Sequence, residues 1–207
     1  LVLRMTAIQM TAEIEDGGVH STDNISGNME TADRVVEKRL FRIVKQFDMI
    51  VTMGTKAVTF FRDKRIQTEF HVVSGGIDSG RFHPDRNEPQ SDLILTGRLA
   101  SIKRIDVFLQ AIRLVAERLP NVKATIVGDG ELCNNLERMA RELGIEDNVV
   151  FAGCQQDVAS WLRRAKVFVL TSDSEGLSLS MMEAMMSGLP AVVSDVGDLG
   201  DLVESGV

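Results

Sequence analysis

Two glutamates, Glu175 and Glu183, stand with seven residues between them in the stretch from Ser172 to Ser194. Glu175 lies in a polar loop beside Gly176, where a carboxylate either reaches a ligand hydroxyl or is simply solvated. Glu183 falls three residues after Ser180, so it either accepts hydrogen bonds from a ribose diol or completes a Ser-x-x-Glu capping box. The second set of candidates is cationic: Arg98, Lys103 and Arg104 follow Gly97 closely. Lys103 and Arg104 are expected in the first turn of a helix, where the macrodipole disfavours cations by roughly 0.3–1 kcal/mol each. Charge-assisted hydrogen bonds to a phosphate contribute about 1.5–3 kcal/mol and outweigh that penalty, so an anion nearby would explain the placement. Gly128-Asp129-Gly130-Glu131 lacks the third glycine of a dinucleotide fingerprint, with Cys133 in its place, which leaves an ordinary βα turn and a ligand loop both open. Phe151-Ala152-Gly153-Cys154-Gln155 is a strand end whose backbone could pair with a base edge.

These residues need a frame that brings strand ends together, and the pattern supplies one. Short apolar runs at 93–96, 124–127, 148–151, 166–170 and 191–193 read as buried parallel strands. Between them lie amphipathic helices at about 103–119, 131–143 and 158–165, and one from near Ser180 to Gly188, with Pro190 just beyond. Strands alternating with helices imply βαβ units and one parallel sheet, with the candidate residues at its carboxyl edge, where such folds bind ligands. The helix starting near Ser180 presents free N–H groups suited to phosphate. Ahead of this segment, a basic amphipathic helix is expected over 31–47 with Val36, Leu40, Ile43, Val44 and Phe47 on one face. A strand at 48–52, a helix at 56–65 and a strand at 71–73 follow. Residues 1–30 read as polar and loop-rich, and His20 as a solvated loop histidine. The Gly-, Pro- and polar-rich stretch 74–91 reads as the linker between a front unit, 1–73, and a second unit, 92–207.

The totals exclude several classes. Of 207 residues, 44% are hydrophobic and 26% charged, ordinary for a globular protein. A net charge of −7 argues against a nucleic-acid or anionic-membrane partner, so any anion site must be built locally. Cys133 and Cys154 form neither a metal spacing nor a disulfide framework, which fits a reducing cytoplasm. No apolar run approaches a transmembrane helix, and no signal peptide is visible. Leu1 in place of a starting Met suggests a fragment or a processed chain.

Together these stretches resemble a known family. The carrying motifs are Gly-Gly-Ile-Asp-Ser-Gly-Arg-Phe-His-Pro at 75–84, Gly-Arg-Leu-Ala-Ser-Ile-Lys at 97–103 and Ile-Val-Gly-Asp-Gly-Glu-Leu at 126–132. Val-Phe-Ala-Gly at 150–153, Ser-Glu-Gly-Leu-Ser-Leu-Ser-Met-Met-Glu-Ala-Met at 174–185 and Gly-Leu-Pro-Ala-Val-Val-Ser at 188–194 complete them. The chain from about Arg34 onward resembles the donor-binding half of a GT-B fold retaining glycosyltransferase of the family 4 type. The resemblance implies an α/β Rossmann-like parallel sheet with helices on both faces, preceded by a partial second α/β domain. It implies transfer of a sugar from a nucleotide-diphosphate sugar to a glycan or lipid-linked acceptor, with retention and with no metal or cofactor required. Arg98 and Lys103 would clamp the diphosphate, Glu183 would hold the ribose, and Glu175 would meet the transferred sugar. The backbone of Gly176, Leu177 and Ser178 would face the phosphates, with Gly128 and Gly153 completing the donor contacts. The sequence departs from the family pattern at Gly75, where Asn is usual, and at Gly176-Leu177-Ser178, where Gly-Phe-Gly is usual. Family members are also much longer, so most of the acceptor domain and the closing helices are expected to be missing, and residues 31–73 are expected to pack on a second copy or a missing domain. The resemblance places the protein in the cytoplasm, with the full-length protein at the inner face of the membrane as a further option. A nucleotide-sugar 2-epimerase of the same fold and a non-catalytic nucleotide-binding module are the rival readings; a nicotinamide oxidoreductase suffers from the missing glycine.

Overall fold

The computed structural model describes residues 41–73, 75–85 and 88–203. Most of the expected 31–47 helix, including Val36 and Leu40, lies outside that set; residues 41–44 are helical.

The front unit is one small βαβ element. β1 (Met49–Thr52) and β2 (Glu69–Val72) pair in parallel, with Met49 opposite Glu69 and Thr52 opposite Val72, and α1 (Thr55–Asp63) connects them. Two strands and one helix cannot enclose a full core. Aromatic rings carry much of the packing instead: Phe61 stacks on Phe70 at 5.9 Å, Phe60 meets Phe61 edge-on at 5.6 Å, and Phe41 lies 6.1 Å from Phe60. Of the stripe read from the sequence, Val44 is buried, while Ile43 and Phe47 are exposed. Met49, Val51, Val72 and Val73 are exposed as well.

The second unit is a five-stranded, wholly parallel sheet. Its strands are β3 (Ser91–Thr96), β4 (Ala124–Val127), β5 (Val149–Gly153), β6 (Ala165–Leu170) and β7 (Ala191–Val193), in the spatial order β5-β4-β3-β6-β7. The order runs outward from β3 in one direction and then, from β6, in the other. The reversal makes the gap between the carboxyl ends of β3 and β6 a topological switch point. α2 (Ile105–Ala116) and α3 (Cys133–Glu142) cover one face; α4 (Val158–Leu162) and α5 (Leu179–Met186) cover the other. Strand alternation feeds both cores: in β3, Leu95 joins Phe108, Leu109 and Ile112 on the α2 side, and Ile94 joins Phe168, Leu162 and Met181 on the α5 side. Each of those side chains is essentially fully buried, worth about 1.5–3 kcal/mol of transfer free energy apiece.

Described residues of the stretch expected as a linker pack on the second unit. Phe82 is 5% exposed and joins the α4–α5 core, and Gly188 packs on the Pro84 ring. The N–H groups of Gln90 and Ser91 both donate to the Arg164 carbonyl, at 2.7 and 3.0 Å.

Two helix starts differ from the reading of the sequence. The helix after β3 begins at Ile105, not Lys103; residues 101–103 form a 3₁₀ turn, and Arg104 stands at the junction in the left-handed region, with φ of 44°. The last helix is capped by Ser178, whose Oγ accepts from the Met181 N–H at 3.4 Å. The Ser180–Glu183 capping box is therefore not formed, and Glu183 lies in the second turn. The helices after β4 and β5 are also shorter than their apolar patterns suggest, at 133–142 and 158–162.

Candidate functional site

The switch point is held shut by backbone and side-chain ties. The Thr171 hydroxyl, just past β6, donates to the carbonyls of Lys103 and Arg104 at 3.1 and 2.9 Å. The Asp173 N–H donates to the Ile102 carbonyl at 2.9 Å. These bonds fix the 3₁₀ turn against the β6 loop and bring Lys103 to Glu175. The Lys103 ammonium donates to Glu175 Oε1 at 2.5 Å, and the Ser172 hydroxyl donates to the same oxygen at 2.6 Å. The Glu175 side chain is 9% exposed and that of Lys103 is 21% exposed, so the pair is largely shielded from water.

Arg104 has a different task. Its guanidinium binds Asp106 at 3.1 Å and Asp173 at 3.0 Å. Both carboxylates raise its pKa further, Asp106 more than Asp173. A non-glycine residue in the left-handed region costs roughly 1–2 kcal/mol, and these contacts hold it there. The anion that accounts for Arg104 is thus a pair of carboxylates in the protein itself. Arg98 sits one residue past Gly97 and is exposed on the same edge.

Beside this pair the ends of β3, β4 and β5 are stacked. The Gly97 N–H donates to the Val127 carbonyl and the Gly128 N–H to the Gly153 carbonyl, both at 2.9 Å. A Cβ on Gly128, where φ is 143°, would lie 1.8 Å from the Gly97 carbonyl oxygen. Close backbone approach therefore accounts for Gly128, as an ordinary βα turn would. Cys133, in place of the third glycine, starts α3; burial first and the Glu137 carboxylate second push its thiol pKa up, away from thiolate chemistry.

The loop after Glu175 leads into α5. Gly176 is exposed, Leu177 half-buried, and Ser178 buried as the cap. Glu183 is half-buried on α5; burial pushes its carboxyl pKa up, against a smaller opposing pull from Arg81. Arg81, which the sequence did not mark, is held by the Gln156 carbonyl and lies 5.4 Å from the Phe82 ring. Arg81 lies inside the 75–84 motif and Ser172 opens the 172–194 stretch, but neither they nor Thr171 carries a residue-type signal for its contact, which only the fold brings about. A groove of about 290 Å³ between α2 and α3 is lined by Ser101, Arg104, Ile105, Leu132, Leu136 and Met139 among others; of the candidate residues Arg104 borders it, and Arg98, Lys103, Glu175 and Glu183 do not. Among the described residues no group of three or more His, Cys, Asp or Glu is placed to hold a metal ion, and no helix is long and apolar enough to cross a membrane.

The doubly wound parallel sheet, with a cation, a carboxylate and a helix N-terminus at its switch point, is of the Rossmann-like α/β class, in which ligands bind at that edge. Residues 90–207 match the family model described as glycosyl transferases group 1, more than half of the chain, and the chain belongs to that family. An uncharacterised glycosyltransferase of Methanocaldococcus jannaschii is 34% identical over 73% of this chain and 40% of its own length. The mannosylfructose-phosphate synthase of Agrobacterium fabrum is 29% identical over 76% of this chain and 40% of its own. The chain thus spans about two fifths of the length of these relatives. Among solved structures, the Anabaena HepE protein in complex with UDP and glucose superimposes with a TM-score of 0.74 at 20% identity, over 86% of this chain and 53% of that one. The pneumococcal O-GlcNAc transferase GtfA, in complex with UDP and GlcNAc, gives 0.72 at 25% identity over 80% and 34%.

Proposed function

We propose that this chain is the donor-side part of a retaining glycosyltransferase of the family 4 type, which moves a sugar from a nucleotide diphosphate to a glycan or lipid-linked acceptor. The observation that carries the reading is the meeting of Lys103 and Glu175 across the β3–β6 switch point, beside the N-terminus of α5. The UDP and sugar bound in the HepE and GtfA structures support it.

In the proposed reaction the acceptor oxygen forms a bond to the anomeric carbon while the bond from that carbon to the diphosphate oxygen breaks. Negative charge grows on the leaving diphosphate. Arg98, Lys103 and the free N–H groups that follow Ser178 oppose that charge, with Gly176 and Leu177 passing close to it. No metal is needed for this neutralisation. Lys103 can serve here because Ser172 also holds Glu175, so the ammonium can turn toward a phosphate without leaving the carboxylate bare. Glu175 then addresses hydroxyls of the transferred sugar. Glu183, partly desolvated on α5, accepts from the ribose diol, and Gly128 and Gly153 line the nucleotide side. We divide the chain at the stretch 74–91, with 1–73 as the acceptor-side remnant and 92–207 as the donor domain, and place the protein on the cytoplasmic side of the membrane.

A thermal-shift panel of UDP-, GDP- and ADP-sugars tests the reading. One nucleotide series is expected to raise the melting temperature; no shift with any of them would refute a donor site. A donor converted with no acceptor present would instead favour an epimerase.

A further inference from the structure

The N-terminus of α1 has no cap of its own. Its N-cap residue is Gly54, in extended backbone, with no side chain to accept a bond from the helix. The N–H of Lys56, the second residue of α1, nevertheless donates to Asp198 Oδ1 at 3.1 Å, across 142 residues of sequence. That is the bond an N-cap aspartate ordinarily accepts within its own helix. The fit is steric as well. A Cβ on Gly54 would lie 1.8 Å from Asp198 Oδ2, so the carboxylate fills the space that a capping side chain at 54 would take. Asp198 is only 5% exposed, and the partial positive charge of the helix start compensates its burial. The Lys56 ammonium adds a bond to the neighbouring Gly197 carbonyl.

The other side of this turn touches the candidate site. Gly197 has φ of 56°, and a Cβ there would lie 1.6 Å from the Glu175 carbonyl oxygen, so the two backbones are in direct contact. The start of α1, the Gly197-Asp198 turn and the Glu175 loop therefore form one contiguous file. We infer that Asp198 is a positioning residue: it docks the front βαβ unit on the donor domain by supplying the missing cap of α1, and so holds Gly197 against Glu175. The carboxylate satisfies the helix only while the two units are docked, which couples order in the Glu175 loop to docking. The consequence for sugar binding rests on the donor-site reading above; the docking does not.

Amide hydrogen exchange on three variants tests this without any ligand. Asp198→Ala is expected to speed exchange about fivefold, the change that loss of an N-cap implies, both over 54–60 and over 173–178. Asp198→Asn, which keeps the accepting oxygen, is expected to recover most of the protection. The double variant Gly54→Ser/Asp198→Gly gives α1 its own cap and removes the clash, so protection returns over 54–60 while 173–178 stays fast. The double variant carries the test if Asp198→Ala does not fold. Wild-type exchange over 173–178 in the double variant would overturn the inference, because α1 would then need only a cap and not a docked one. In calorimetry the double variant is expected to bind UDP within twofold of wild type and UDP-glucose at least fivefold more weakly; equal losses for both would overturn the link to Glu175. If wild type binds neither, the donor-site reading fails and the exchange comparison alone decides the docking.

Discussion

Glu183→Gln separates a ligand-binding carboxylate from a structural one. The cap of α5 is Ser178, so the glutamine removes no capping bond, and in the second turn the dipole's help to an acidic side chain has largely decayed. Burial raises the Glu183 pKa, so the folded state holds this proton more tightly than the unfolded chain does. The stability contributed by that proton is fully present below the ordinary value of 4.5 and is lost as pH rises through the raised folded-state value. At pH 7 the ionised Glu183 thus opposes folding slightly, and the variant is expected to melt at the same temperature as wild type or higher. The difference should close on acidification below the ordinary glutamate range. Binding should move the other way. A charge-assisted bond to a diol contributes about 1.5–3 kcal/mol against about 0.5–1.5 for a neutral one, so the exchange costs about 1.4 kcal/mol, or about tenfold in affinity. Scanning calorimetry between pH 4 and 8 and titration with the nucleotide that binds wild type read both effects. Affinity within twofold of wild type would refute the ribose role, and a lower melting temperature at pH 7 would refute the assignment of the cap to Ser178.

Lys103→Ala should destabilise the unliganded chain by about 1–3 kcal/mol, because Glu175, 9% exposed, keeps only Ser172; adding Glu175→Gln should recover most of the loss, as a denaturant double-mutant cycle will show. Ser178→Ala should cost about 1 kcal/mol in the same assay and Ser180→Ala less than about 0.5, the reverse of what a Ser180 capping box requires. The exposed Met49, Val51 and Val72 on the small front sheet should drive pairing with a second copy, so light scattering is expected to give a dimer that Val51→Lys returns to monomer; a monomeric wild type would contradict that.

The five strands of the second unit were legible because each is a short apolar run, continuous and wholly buried in the inner β4, and carrying exposed Val150 and Val192 only on the edge strands β5 and β7. Helix starts were less legible. At Lys103 and Ser180 the residue types fit a helix, but the first turn at 101–103 is 3₁₀, pinned by Thr171, and the serine that caps α5 stands two residues earlier. The cations of the 97–104 stretch were marked together, yet contacts made in the fold separate them: Arg104 turns to Asp106 at the start of α2 and to Asp173 in the β6 loop, while Lys103 turns to Glu175. The cap that Asp198 supplies to α1 was out of reach, since neither Lys56 nor Asp198 suggests a partner 142 residues away.

A donor site at the carboxyl edge of β3 and β6 must bind a nucleoside diphosphate through its own cations, Arg98 and Lys103. Titration calorimetry of UDP and of GDP in EDTA, on wild type and on Arg98→Ala, tests it most directly. One of the two diphosphates is expected to bind wild type, and the variant to bind it at least tenfold more weakly, as loss of a charge-assisted contact of about 1.5–3 kcal/mol requires. No heat with either diphosphate, or equal affinity in the variant, would contradict the claim.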